Sequence, residues 1–292
     1  MLKDRSHDLS SVQTMESPNI MSNSPVLRVG IGGLGTVGYA VARRLDQGIP
    51  GLRLTAVSAG DPDRAGKRVA DFSAPVAVLP LEKLADACDV VVECAPAAVF
   101  RQLAEPAIGA GRVFIPISVG ALLENWSLVA LAEKTGARII VPSGALLGLD
   151  AVRAAGEGRI ESVRMVTRKP PRGLAGAPYL ETHGIDVSNL DAPLKVFEGT
   201  AREGAAGFPA NVNVAAALGL AGVGPDATRL EIWADPTVSR NTHHITVEAD
   251  SARFELSIEN VPTDENPRTG RLVAHSVIAT LRRLTAPLTV GA

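Results

Sequence analysis

Gly33, Gly35 and Gly38 stand between a short apolar run and an amphipathic one, and no other feature of the 292 residues restricts the fold as much. The run before them, Val26-Leu27-Arg28-Val29-Gly30-Ile31, reads as a buried strand. The run after them places Val37, Val41 and Leu45 at four-residue steps, on one face of a helix. In a G-x-G-x-x-G turn set between strand and helix, the first glycine permits the tight bend. The second lets the backbone approach a pyrophosphate, and the third lets the helix pack close to the strand. The helix N-terminus then offers free N–H groups and a positive dipole end to phosphate. Gly33, Leu34, Gly35, Thr36, Val37 and Gly38 are therefore expected to contact a dinucleotide, with a purely structural turn as the alternative.

The chain continues in the same rhythm. Leu52 to Val57, Val90 to Glu93, Val113 to Ile117 and Arg138 to Val141 read as strands, and Ala97 to Ala110 and Trp126 to Glu133 as helices between them. Strands alternating with helices predict a doubly wound parallel sheet, a Rossmann domain over 26–143. After Pro142-Ser143-Gly144 the pattern changes. Val163 to Arg168 and the alternating Thr246 to Ile258 segment read as antiparallel strands, with an apolar helix over Val214 to Leu220 between them. This predicts a second α+β domain over 144–266. A last helix within 267–292 is expected to pack back on the first domain. The first 25 residues lack period and apolar core, and read as a disordered tail rather than a secretory signal.

Candidate cofactor contacts follow from position. The acid that grips a ribose usually ends the second strand, about 20 residues past the glycines. Here the strand end is Val57-Ser58-Ala59-Gly60, followed by Asp61 and then Arg64. Asp61 suits the ribose hydroxyls of NAD. Ser58 and Arg64 suit the 2′-phosphate of NADP. A plain Asp61-Pro62-Asp63 turn that caps the next helix is an equal alternative. Cys94-Ala95-Pro96 and Ser143-Gly144-Ala145 follow strands at the carboxyl edge of the sheet, where ligands bind. His243 and His244 are adjacent in a strand-like segment, so only one can readily face a given site.

Composition narrows the partners. The net charge is −2 with no basic run, so neither nucleic acid nor an anionic membrane is expected, and a small diffusible ligand is. No apolar stretch reaches the roughly 18–20 residues that span a bilayer. Cys88 and Cys94 form no CxxC pair, and no Cys/His cluster has metal-ligand spacing. No metal is expected, a cytoplasmic setting is, and Cys94 reads as a small buried side chain rather than a nucleophile.

Beyond the glycines, the chain carries Thr167-Arg168-Lys169-Pro170-Pro171, Phe197-Glu198-Gly199-Thr200-Ala201-Arg202-Glu203 and Phe208-Pro209-Ala210-Asn211-Val212-Asn213-Val214-Ala215-Ala216. Asn241-Thr242-His243, Glu259-Asn260-Val261-Pro262 and Asn266-Pro267-Arg268-Thr269 follow. In order and wording, from about Val26 to the C-terminus, these segments resemble the L-aspartate dehydrogenase family. The resemblance implies oxidation of L-aspartate with NAD or NADP to iminoaspartate, then hydrolysis to oxaloacetate and ammonia, with a link to NAD biosynthesis and a homodimer. It implies that His243 is catalytic and that Ala145 and Asn213 touch the cofactor. Arg168, Lys169 and Asn211 are candidates for substrate. Gly204 to Gly207 is looser than the family pattern, and Gly270 stands where a serine is common. The alternatives are an oxidoreductase for another small amino or oxo acid, and a nicotinamide-nucleotide-binding protein without turnover.

Overall fold

The computed structural model describes residues 25–209, 212–263, 265 and 269–291. Residues 1–24, which carry nearly all of the expected tail, lie outside the described residues, as does Asn211.

The first half alternates strand and helix: β1 (Leu27–Gly32), α1 (Thr36–Asp46), β2 (Leu52–Ser58), α2 (Pro62–Val69), β3 (Ala77–Val78) and α3 (Leu84–Ala87). It continues with β4 (Val90–Glu93), α4 (Phe100–Gly109), β5 (Val113–Pro116), α5 (Val119–Glu124), α6 (Ser127–Thr135) and β6 (Arg138–Ile139). All six strands run parallel in the order β3-β2-β1-β4-β5-β6. The strands are short and apolar because both faces are covered, and Val90, Val91 and Val92 are fully buried. One face packs Val29 and Ile31 against Val41 and Leu45 of α1. The other packs Val91 and Phe114 against Phe100, Leu103 and Leu128. The strand order reverses between β1 and β4, so the connections leaving their carboxyl ends diverge and open a crevice there.

The second half holds α7 (Leu149–Gly156), β7 (Ile160–Lys169), α8 (Pro178–His183), β8 (Leu194–Thr200), α9 (Ala201–Gly207) and α10 (Asn213–Ala221). It ends with β9 (Arg229–Ala234), β10 (Asn241–Ala249), β11 (Arg253–Asn260) and α11 (Arg271–Arg283). Its five strands are ordered β11-β10-β7-β9-β8. The segments expected to be antiparallel are so, since β10 pairs antiparallel with both β7 and β11, but Thr246 to Ile258 is divided between those two strands, and β9 was not foreseen. β7 and β9 run parallel, because the chain between them crosses over through α8, β8, α9 and α10. One face is buried, with Val163, Met165, Ile245 and Val247 pointing inward in strict alternation against the apolar α10. Helix α11 returns to the first sheet, where Ala274, Val277 and Leu281 share a core with Val41 and Leu45. No described helix is long and apolar enough to cross a membrane.

The glycines divide into packing and non-packing positions. A Cβ on Gly38 would overlap the Gly33 carbonyl oxygen, so α1 sits directly against the turn. A Cβ on Gly35 would meet nothing within 4 Å. Gly38→Ala is therefore expected to destabilise by about 1–3 kcal/mol through overpacking. Gly35→Ala should stay within about 0.5 kcal/mol of the parent, as for a surface change. Urea unfolding followed by circular dichroism separates the two.

Candidate active site

The turn that follows β1 forms the floor of the crevice. Gly33 has φ of 98°, a region that favours glycine, and its N–H donates to the Ser58 carbonyl at 2.8 Å. α1 begins without a side-chain cap and without an acid in its first turn. Its first N–H groups, which have no partner inside the helix, are thus free for an anion. Gly33, Leu34, Gly35, Thr36 and Val37 line the crevice, whereas Gly38 lies beneath it as packing. Cys94, Ala95 and Pro96 form the opposite wall. The Cys94 thiol is pushed well above its ordinary range by burial and by the neighbouring carboxylate of Glu93, which leaves it an unreactive lining atom.

The outer end of the crevice belongs to α2. Asp61 caps that helix, accepting from the Arg64 N–H at 2.9 Å, and it also lines the crevice mouth with Arg64. The capping alternative is thus real, and it coexists with a place at the mouth. Ser58 is buried between strands and does not line the crevice. Arg68, which the sequence reading missed, does line it. Its guanidinium donates to the Leu34 carbonyl at 2.7 Å and lies 4.0 Å over the Tyr39 ring. The available signal was its spacing, one helical turn past Arg64.

A second pocket opens beside the crevice and shares Val37, Ile117 and Thr269 with it. Ser143, Gly144 and Ala145 form its near wall, and Lys169, Asn241 and His243 its far wall at the end of the second sheet. The near wall is tied down from two sides. The Gly144 N–H donates to Ser276 Oγ at 3.1 Å, and Asn260 Nδ2 donates to the Ala145 carbonyl at 3.1 Å. Asn260 Oδ1 is buried and has no partner among the described residues. A Cβ on Gly270 would stand 3.3 Å from it. Asn213 lines the pocket too, but its Oδ1 accepts from the Gly120 N–H at 3.0 Å, so among the described residues its amide NH2 is the group left to donate.

Strand alternation sorts the polar residues of β7 and β10. Thr167, Lys169 and His243 are buried on the inner face. Thr167 and His243 are register partners, and their Oγ1 and Nδ1 lie 3.1 Å apart. Arg168 falls on the opposite face, where it pairs with Asp235 at 3.0 Å and lies 4.8 Å over Trp233. It is not among the residues that line the pocket, since neighbours along a strand point to opposite faces. His244 also faces out, 3.7 Å from Glu255.

Burial dominates the electrostatics. It lowers Lys169 to about 8, so the side chain is still largely cationic at neutral pH. His243 is lowered to about 3 by burial and then by the Lys169 charge, so the ring is neutral. Its proton is held less tightly folded than unfolded. That histidine therefore opposes folding as pH falls from 6.5 towards 3. No group of His, Cys, Asp and Glu that could hold a metal ion is found among the described residues.

Two family models match the chain. Residues 33–142 match the NAD-binding domain of homoserine dehydrogenase, and residues 150–284 match the C-terminal domain of aspartate dehydrogenase. The L-aspartate dehydrogenase of Bradyrhizobium diazoefficiens is 57% identical over 268 residues, covering 92% of this chain and 95% of that protein. L-aspartate dehydrogenase 3 of Bordetella bronchiseptica is 53% identical over 272 residues, covering 93% of this chain and all of that protein. The crystal structure of aspartate dehydrogenase from Thermotoga maritima superimposes with a TM-score of 0.68 at 26% identity, covering 91% of this chain and 99% of that one.

The open space at Gly35 fits a group that approaches the backbone from outside, as a pyrophosphate does. Gly35→Val should therefore keep the fold and lose cofactor affinity by about 100-fold, the scale of a misplaced reactant. NADH fluorescence titration with a parallel melting curve reads both, and wild-type affinity would remove the dinucleotide from this turn.

Proposed function

Because the chain belongs to the L-aspartate dehydrogenase family and is an NAD(P)-dependent amino-acid dehydrogenase, we propose that it oxidises L-aspartate to iminoaspartate, which water converts to oxaloacetate and ammonia. One observation carries this reading. A buried lysine and a buried histidine share the wall of a pocket that opens onto the glycine-rich crevice. When bound, the nicotinamide ring supplies the acceptor for the hydride that leaves the amino acid Cα.

The chain's own residues do the rest. The Lys169 ammonium attracts a substrate carboxylate in a place where water screens it little. Asn213 Nδ2 and the tied-down Ser143–Ala145 loop face the pocket where the nicotinamide carboxamide would be oriented. Thr167 holds the His243 ring through Nδ1, which leaves Nε2 for chemistry. In hydrolysis, water forms the C–O bond and gives its proton to Nε2. That proton then passes to the carbinolamine nitrogen, and as the C–N bond breaks and ammonia leaves, the carbinol oxygen releases its remaining proton to solvent and becomes the ketone oxygen of oxaloacetate. A histidine held near 3 is a weak base, but the two carboxylates of aspartate oppose the Lys169 charge and raise it when they bind.

Asp61 at the crevice mouth suits NAD, while Arg64 and Arg68 suit the 2′-phosphate of NADP, a set that supports use of both. In the same reading, residues 26–143 with α11 hold the dinucleotide. Residues 144–266 hold the substrate and carry a homodimer contact, and the imine feeds NAD biosynthesis.

His243→Ala should keep NADH affinity and lower kcat by about 10²–10⁴-fold, as for a lost acid–base group. His244→Ala should change kcat little. The reverse order would sink the assignment, and stopped-flow turnover with oxaloacetate, ammonia and NADH decides it. Lys169 makes a separate prediction. Its charge is present below about 8 and is lost above it. The inhibition constant of succinate, an unreactive dicarboxylate, should therefore rise as pH passes upward through that range. Lys169→Met should bind succinate weakly at every pH, and a pH-dependent Lys169→Met profile would place the anion elsewhere.

A further inference from the structure

Glu93 ends β4 with a side chain wholly removed from solvent, and no step above uses it. Among the described residues it forms no ion pair. Its partners are donors from two loops. Oε1 accepts from the Ala95 N–H at 2.9 Å and from the Ser118 hydroxyl at 3.0 Å. Oε2 accepts from the Ser118 N–H at 2.9 Å and from the Ile117 N–H at 3.2 Å. A buried carboxylate needs such a set of donors to offset its lost hydration. An apolar residue would fill the same space and take the acceptor from the Ala95 and Ser118 N–H groups, while the Ile117 N–H would keep the Glu93 carbonyl at 3.2 Å and the Ser118 hydroxyl a long contact with the Ala95 carbonyl at 3.5 Å.

The two loops are walls of the functional crevice. Ala95 lines the dinucleotide side, and Ile117 lines both the dinucleotide side and the substrate pocket. The polar chain then continues. α5 starts at Val119, and the Gly120 N–H reaches Asn213 at the start of α10 in the second half of the chain. On the other side, the Cys94 carbonyl lies against Gly33, where it blocks any side chain. The glycine turn, the loop after β4, the loop after β5 and the start of α10 are thus joined in series, with one carboxylate at the middle joint.

We infer that Glu93 is a positioning residue: it clamps the loop after β4 to the loop after β5 and so sets the place of the cofactor relative to the substrate pocket. Burial raises Glu93 to about 6 against the pull of its donors, so at neutral pH it remains the acceptor-only carboxylate the clamp requires. The Cys94 thiol beside it feels its charge. The inference rests on the dinucleotide lying in the crevice.

Glu93→Gln keeps the shape but turns an NH2 group towards N–H donors. It should weaken NADH binding about tenfold or more and raise KM for L-aspartate, since small misplacements near a reacting pair have large effects. Ser118→Ala, which removes only the hydroxyl donor, should move both quantities in the same direction by a smaller factor. Ser118→Thr, which keeps the hydroxyl, should restore them. NADH fluorescence titration and steady-state kinetics, run well below each melting temperature, read the effect. A variant pair that melts earlier yet keeps wild-type Kd and KM would overturn the inference, because Glu93 would then only stabilise the fold. If Glu93→Gln does not fold, the Ser118 pair decides alone, and identical Kd values for Ser118→Ala and the parent overturn it. If Gly35→Val also binds NADH normally, the cofactor lies elsewhere and the inference falls with that placement. If Gly35→Val loses NADH and Glu93→Gln does not, the clamp alone is wrong.

Discussion

The contact between α1 and the turn before it governs the first half of the molecule. Gly38 leaves no room for a side chain against the Gly33 carbonyl, so the helix begins hard against the end of β1. Its first N–H groups then point into the gap where the strand order reverses between β1 and β4. Gly33 in turn abuts the carbonyl of Cys94, so the opposite wall of the gap is set by the same turn. An uncapped helix start and a narrow crevice both follow from missing side chains.

The second half supplies charge in a dry place. Lys169 and His243, with Thr167 beside them, sit at the end of a sheet whose inner face is mainly apolar. Burial disfavours the charged form of each, and the Lys169 charge disfavours protonated His243 further. The arrangement explains why the histidine is held by a hydroxyl rather than by a carboxylate. Thr167 orients the ring through Nδ1 without adding a charge that would protonate it.

Much of the site was legible as sequence because it depends on local geometry. The glycine spacing located the turn and helix start. Alternation along a strand implied that His243 and His244 face opposite ways, and β10 places one in the pocket and the other beside Glu255. The same alternation separates Lys169 from Arg168, although the sequence reading grouped them as a basic pair. Which of the two faces inward depends on the face that α10 covers, a property of packing rather than of spacing. Asp61 was ambiguous for a different reason. Its carboxylate meets both the helix it caps and the crevice mouth, so neither reading excludes the other.

By itself the sequence determined the elements and their local turns: strands from apolar runs, the phosphate turn from glycines, and a family from words shared along the chain. Only the tertiary structure decided which distant groups meet. Thr167 and His243 are 76 positions apart and become partners through the register of β7 and β10. Glu93 reads as the polar end of an apolar strand until β5 brings Ile117 and Ser118 within reach of its oxygens. The physical reason is that hydrogen bonding and burial act over about 3 Å in space, while periodicity in a sequence reports only on neighbours along one helix or strand.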